Sequence, residues 1–417
     1  MEKSGKFRLT SLERNWILYD VGNSAFVLMV ATLIPIFFNA LAAAGGLSSV
    51  EYLAYWGYAS SAVTIITAVL SPILGTVADT KGFKKPIFIL CVFVGIVSCC
   101  AMGAVSAWLP FLVIFVIAKV GFSGSLVFYD SMLSDVTTPE RMDEVSSRGY
   151  AWGYIGSCVP FVVCLGLVLG AGSIGISQMT ALNLALLLTA AWWLLTTLPL
   201  LKSYKQLYYV EVEKHAVRQS FARIGHTLRH LPEDKQVFWF LLAFFCYIDG
   251  VYTIIDMATA YGTALGLDTT GLLLALLVTQ IVAFPSALIF GRLSNKYPSA
   301  KLIPVCIAAY AGIAVFAFFL TRQWQFWVLA VIVGMFQGGV QALSRSHFAK
   351  IIPPEKSGEY FGLFDICGKG ASFLGTMIVS VGSQLTGSAN VGVGSLILLF
   401  IVGFVLFRVS CRQGETA

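Results

Sequence analysis

An all-α polytopic membrane protein, with twelve transmembrane helices in two pseudo-symmetric six-helix bundles, is the fold this sequence predicts. Three observations carry that expectation: composition, the length of the apolar runs, and the placement of lysine and arginine. Of 417 residues, 58% are hydrophobic and only 12% are charged, whereas a soluble chain carries about a quarter charged residues. Mean hydropathy is +0.83. The apolar residues fall into runs of roughly 20, enough to cross about 30 Å of hydrocarbon as helices. They cover 16–44, 52–78, 86–107, 109–133, 150–169, 179–201, 237–265, 270–290, 302–320, 326–349, 360–381 and 391–407.

The opening "MEKSGKFRLTSLERNW" is charged, and the run after it is too long for a signal core, so no cleaved leader is expected. Thr10 with Glu13 reads as a capping box that starts the first helix before the membrane. Under twelve spans, Lys3, Lys6, Arg8, Arg14, Lys81, Lys84 and Lys85 share one face with the basic central linker. Arg141, Arg148, Arg292, Lys296, Lys301, Lys350, Lys356, Arg408 and Arg412 join them, and Arg322 alone falls opposite. That asymmetry places both termini in the cytoplasm, and the compact loops suit a bacterial inner membrane. The net charge of +6 is then a topology signal rather than a sign of nucleic acid. Nine cysteines form no CxxC pair and eight lie in spans, so they read as packing residues. With three of four histidines in the linker, neither a metal nor a cofactor is expected.

The expected divisions are an arm at 1–15, a bundle at 16–201, a linker at 202–236, a bundle at 237–407 and a tail at 408–417. Similar punctuation recurs in the two halves. Gly75 and Gly291 precede the turns after the second and eighth spans; Pro139-Glu140 and Pro354-Glu355 follow the fourth and tenth. This six-plus-six parallel duplication resembles the major facilitator superfamily, whose halves rock about a site near the midplane. Within the linker, Phe221, Ile224, Leu228 and Leu231 share one face of an amphipathic helix closed by Pro232; a solvated tether is the other reading.

"GTVADTKGFKK" resembles the superfamily's loop signature G-x-x-x-D-[RK]-x-G-[RK]-[RK], with Thr80 at the first basic position. Gly75 would let the second span approach a neighbour closely. Asp79 would face a helix N-terminus across the boundary between halves. Gly82 would permit the turn, and Lys84 and Lys85 would hold the loop on the cytoplasmic side. A basic turn needed only for topology is the plainer reading. The second half keeps Gly291 but has Asn295 in the aspartate's place, so a charged latch is expected on one side only.

An ionisable side chain at a helix centre costs about 2.5–3.5 kcal/mol on insertion scales, so each needs a partner, a wet cavity or a neutral form. The candidates for substrate or proton binding are Asp20, Asn23, Lys119, Asp130, Asp249, Asp256, Gln341, Arg345, Asp365 and Lys369. Asp20 lies about 6 Å inside Trp16 at the helical rise, with Asn23 on the same side. A packing pair satisfied by neighbours is the alternative there. Asp130 and Arg345 occupy equivalent repeat positions, as a gate pair or as an opposed site. Asp249, Tyr252 and Asp256 share a face, and Lys119 needs an acidic partner such as Asp249. Asp365 and Lys369, four apart, can neutralise each other along one helix. In the superfamily's arrangement, spans one, four, seven and ten line the central cavity, which takes in all of these but the last pair.

"YDVGNSAF" and "QGGVQALSRSHFAKIIPPEKSGEYFGLFDICGKGASFLG" resemble segments of the vacuole-effluxer-like (Atg22-like, UMF1) family of that superfamily. "FYDSMLSDVTTPERMDEVSSRGYAWGYIGS" resembles its segment between the fourth and fifth spans. Val21, Gly22 and Thr376 depart from the family's usual tryptophan, alanine and proline. The resemblance implies a secondary transporter rather than an enzyme, one moving a small polar solute such as an amino acid by alternating access. H+ is the candidate coupling ion, the bilayer is the surrounding partner, and a monomer is expected. The alternatives are a cation-coupled sugar carrier, with Trp152 and Tyr154 as stacking platforms, and a lysophospholipid or lipid flippase.

Overall fold

In lipid, backbone N–H and C=O groups must be satisfied within the chain, and helices do this segment by segment. The computed structural model describes residues 7–211, 225–227 and 229–415. Its first span is Ser11–Ala44. The helices that follow are Ser49–Ala78, Lys84–Met102, Trp108–Ser131, Met142–Leu169, Gln178–Ser203, Lys235–Ala264, Thr269–Leu293, Ser299–Phe318, Gln323–Ile351, Ser357–Thr386 and Ile397–Glu415. Among the described residues, 11 helices are long and apolar enough to cross a membrane. The remaining expected span is carried by Ser357–Thr386, whose 30 residues extend about 45 Å.

Local chemistry explains the irregular points. Thr10 Oγ1 accepts the Glu13 N–H at 3.1 Å and the Glu13 carboxylate accepts the Thr10 N–H at 2.7 Å, which forms the expected capping box. Pro35 lacks an N–H and its ring crowds the carbonyl one turn back. The first span accordingly breaks at Thr32 into helices Ser11–Ala31 and Leu33–Ala44. The fifth span starts at Met142, a full two turns before the apolar run at 150. Asp143, Glu144 and Arg148 make that stretch read as loop, yet each is paired: Asp143 with Lys350 at 2.6 Å, Glu144 with Arg148.

Packing repeats between the halves. The first span lies on the fifth and sixth as the seventh lies on the eleventh and twelfth, and the third lies on the fourth as the ninth lies on the tenth. The halves meet where the second span packs on the eleventh and where the fifth packs on the eighth and tenth. Phe93, Leu195 and Val405 point outward, while Trp16, Trp193 and Phe26 are buried.

The linker begins docked rather than free. Asp135 accepts the Tyr204 hydroxyl at 2.6 Å and the Leu207 and Tyr208 N–H groups at 2.9 Å each. Val210 then pairs with the loop after the second span, its N–H on the Asp79 carbonyl at 2.8 Å and its carbonyl taking the Lys81 N–H at 3.2 Å. The amphipathic helix expected further on falls largely on Phe221, Ile224 and Leu228, which lie outside the described residues.

Candidate functional site

Arg345 is the centre of the polar interior. It sits in the tenth span and is 2% exposed, a burial that a guanidinium tolerates only when its donors are used. Nε donates to Ser146 Oγ at 2.9 Å, one terminal nitrogen to the Ser146 carbonyl at 3.0 Å, and the other to Asp130 Oδ1 at 2.9 Å. Asp20 Oδ2 lies 3.8 Å away and also accepts the Tyr129 hydroxyl at 3.1 Å. The rings of Trp16, Tyr129 and Tyr150 surround the guanidinium at 4.7, 5.4 and 4.3 Å to their centroids, in cation–π range. Gly149 leaves the room: a Cβ there would lie 3.0 Å from Asp20 and 3.1 Å from Arg345. Arg345 comes from the second half and all its named partners from the first. Two carboxylates therefore compete for one guanidinium across the boundary that must part if the halves rock.

Asn23 and Gln341 form the next layer. Gln341 accepts the Tyr154 hydroxyl at 3.3 Å. Asn23 is 2% exposed, and its amide nitrogen has no hydrogen-bond partner among the described residues. Of the two aromatic side chains named as sugar platforms, Tyr154 is held by that bond and Trp152 packs edge-on against Phe284.

The other candidates divide. Lys119 does not meet Asp249 as expected: it lies within electrostatic reach of Asp256 and its ammonium is 5.2 Å from the Phe122 ring. The reason is that Asp249 turns to the eleventh span, fully buried, where it accepts the Gly375 N–H at 2.9 Å. Asp256 is exposed, so the acidic face containing Tyr252 splits between two environments. Asp365 reaches across the halves and accepts the Ser71 hydroxyl at 2.7 Å. The Lys369 side chain lies outside the described residues.

The loop motif forms a latch. A Cβ on Gly75 would overlap the Gly358 carbonyl, so the second and eleventh spans touch backbone to backbone. Asp79 accepts the N–H groups of Gly358 at 2.7 Å and Glu359 at 2.8 Å, amides of a first helical turn that lack intrahelical partners. Gly82 takes φ +79°, the left-handed conformation glycine favours. Burial pushes the Asp79 carboxyl up to about 7, against the opposing pull of Lys84 and the two N–H groups. Lys84, expected to hold the loop on the basic side, is fully buried there, 3.7 Å from Asp79 and 3.5 Å from Asp135, and donates to Ser357 Oγ at 2.8 Å. Two carboxylates make that burial tolerable. Lys85 stays half-buried and donates to the Tyr204 carbonyl at 3.5 Å.

Sequence reasoning missed Ser146, Trp16, Tyr129 and Tyr150. Tyr129 neighbours Asp130 in sequence, a usable signal; nothing marked the others apart from core residues.

Comparison with known proteins then places the chain. It matches the family described as vacuole effluxer Atg22 like over residues 11–140 and 134–416. It is 43% identical over 414 residues to the MFS-type transporter YxiO of Bacillus subtilis (strain 168), covering 98% of this chain and 97% of that protein. The chain belongs to the vacuole effluxer Atg22-like family. This Atg22-like protein is an MFS transporter with membrane-spanning helices. It is also 25% identical over 315 residues to autophagy-related protein 22 of Coccidioides immitis, covering 65% of this chain. The Atg22-like chain spans about half the length of that fungal relative, 51%. In fold it is similar to the human organic anion transporter MFSD10 (TM-score 0.71, 15% identity), with 95% of this chain and 99% of that one covered. It is similar as well to the fucose transporter FucP in its outward conformation (TM-score 0.68, 16% identity), with 96% and 97% covered. At those identities the likeness concerns the fold alone.

Proposed function

We propose that this chain is a secondary active transporter that carries a small polar solute, such as an amino acid, by alternating access coupled to protons. The observation that carries the reading is the Arg345 cluster, where one guanidinium from the second half is shared between Asp130 at 2.9 Å and Asp20 at 3.8 Å of the first. A solute amine would compete for Asp20 and a solute carboxylate for Arg345, with Asn23 and Gln341 supplying neutral hydrogen bonds. Exchanging an internal ion pair for a solute ion pair lets the boundary open without leaving a bare charge in a dry place. The Asp79 latch would close the basic end, and the divisions at 1–15, 16–201, 202–236, 237–407 and 408–417 would be arm, rocking bundle, linker, rocking bundle and tail. By the placement of lysine and arginine the basic end is cytoplasmic, in a bacterial inner membrane. Besides the Arg345 cluster, the named polar contacts between halves join 71–84 of the second span and its loop to 357–365 of the eleventh, and 143–154 of the fifth to the tenth. This conformation is then closed toward the cytoplasm. The working unit would be a monomer, and no chemistry on the solute is required.

The test is flux of an equimolar amino-acid mixture into proteoliposomes. Asp20→Asn should lower uptake by about tenfold or more, the equivalent of about 1.4 kcal/mol, with an unchanged melting temperature. Parent-level uptake by that variant would refute the assignment.

A further inference from the structure

Asp249 takes no part in the Arg345 cluster. It lies in the seventh span, fully buried. One oxygen, Oδ1, accepts the Gly375 N–H at 2.9 Å and the Thr253 hydroxyl at 3.3 Å. The other, Oδ2, has no hydrogen-bond partner among the described residues. The niche excludes any side chain at 375, where a Cβ would sit 2.7 Å from Oδ1 and overlap Thr253 Oγ1. Gly375 belongs to the interior of the helix Ser357–Thr386. Its N–H, inside that continuous helix, is reached by a side chain from the seventh span.

Among the described residues, the surroundings supply no compensating charge. On its own span the titratable neighbours are Cys246, one turn back, and Tyr252. The eleventh span presents the Gly375 backbone, with Cys367 and Asp365 nearer the basic end, and Lys369 has a side chain outside the described residues. The twelfth span presents Phe400 against Gly250, and the tenth presents Ser344, bonded to Tyr247 at 2.6 Å. The eighth presents Leu272 to Gly262, and the ninth the Ala317 carbonyl to Tyr261. Among the described residues no ion pair to Asp249 is formed. An ionised carboxylate with one bare oxygen in such a place is far costlier than the neutral acid. A hard cation does not solve the problem, since it takes about six oxygens or more and the niche offers one carboxyl and one hydroxyl.

We propose that Asp249 is a proton-carrying site: its carboxyl is protonated at Oδ2 while the seventh and eleventh spans are in contact, and it releases the proton when the eleventh span shifts and water enters. The O–H bond breaks, a water molecule takes the proton, and the carboxylate remains hydrated until the contact reforms and it is protonated again from the other side. The proposal rests on the transport reading for its use, and on the geometry above for its existence.

Infrared spectroscopy of the full-length protein in phosphatidylcholine vesicles tests it without any solute. At neutral pH the parent should show a protonated-carboxyl C=O band that Asp249→Asn removes and Asp249→Glu restores at a shifted position. If Asp249→Asn removes a carboxylate band instead, the proposal is overturned. Thr253→Val guards against a variant that fails to insert: it keeps the acid but removes its hydroxyl partner, and should displace the band. An unmoved band overturns the proposal as well. In vesicles with the amino-acid mixture, Asp249→Asn should retain exchange at equal pH and lose accumulation driven by a pH gradient. Parent-like accumulation would sink the coupling role. A parent with no amino-acid flux would instead sink the transport reading, and the infrared band would still decide Asp249.

Discussion

The latch at the start of the eleventh span and its repeat mate at the start of the fifth share a backbone plan and differ in where the charge sits. Gly75 lets the second span touch Gly358, and Gly291 lets the eighth approach the fifth, where a Cβ would lie 2.8 Å from that of Ser147. In the first latch a buried carboxylate, Asp79, crosses the boundary to two backbone N–H groups. In the second a neutral amide crosses it: Asn295 Nδ2 donates to Glu144 at 2.7 Å, and Glu144 is already neutralised along its own helix by Arg148. Duplication has kept the close approach and relaxed the chemistry. In both the acceptor is a carboxylate: in the first it comes from the second span's loop and meets backbone N–H groups, and in the second it belongs to the fifth span and meets a side-chain amide, beside the Asp143–Lys350 pair that also crosses.

Four measurements sharpen or break that contrast. The largest effect is expected from Asp79→Ala, which takes one of the two carboxylates from buried Lys84, leaving it Asp135, and leaves two amides unmatched. It should cost the closed conformation about 3–5 kcal/mol, the range for removing one partner of a buried pair, read as widened distances between spin labels on the basic ends of the second and eleventh spans. Gly75→Ala comes next, at about 1–3 kcal/mol for forced overpacking, because its Cβ meets backbone. Gly291→Ala should fall at or below the lower end, and an equal loss at both glycines would break the comparison. Third is pH. Asp79 is neutral in both conformations below its ordinary value of 3.8 and ionised in both above about 7. Between them only the closed conformation binds the proton, so its share should fall as pH rises through that window. The same labels should show a flat profile for Asp79→Asn. Smallest is Asn295→Ala, about 1 kcal/mol for a single hydrogen bond, since Glu144 keeps Arg148.

Much of the fold was legible because lipid permits so little else. Run length and the one-sided placement of lysine and arginine anticipated twelve spans, and the Gly75–Asp79–Gly82 spacing pointed to a close contact with a helix start. The errors have a common cause: a single sequence shows charges but not their partners. Met142 to Gly149 looked like loop because Asp143, Glu144 and Arg148 are polar, although each is paired. Lys84 reads as a topology charge, and its burial is not visible in the sequence because Asp135, its partner, lies far along the chain. Lys119 needs an acidic partner and Asp249 is one candidate, but the sequence says nothing of rotation about the helix axis, and Asp249 faces Gly375. The aromatic ring around Arg345 was hidden for a different reason. Trp16, Tyr129 and Tyr150 are ordinary residues of an apolar span, and only their convergence on one guanidinium sets them apart.

The docked start of the linker has a mechanical consequence. Tyr204, Leu207 and Tyr208 hang on Asp135, which also touches Lys84, and Val210 is laced to the backbone beside Asp79. The cord joining the two bundles is therefore tied to the bolt itself, not to the hinge post at Ser203. Any load applied farther along that cord reaches Asp79 before it reaches the sixth helix, which turns the connector into a drawstring for the door it hangs beside.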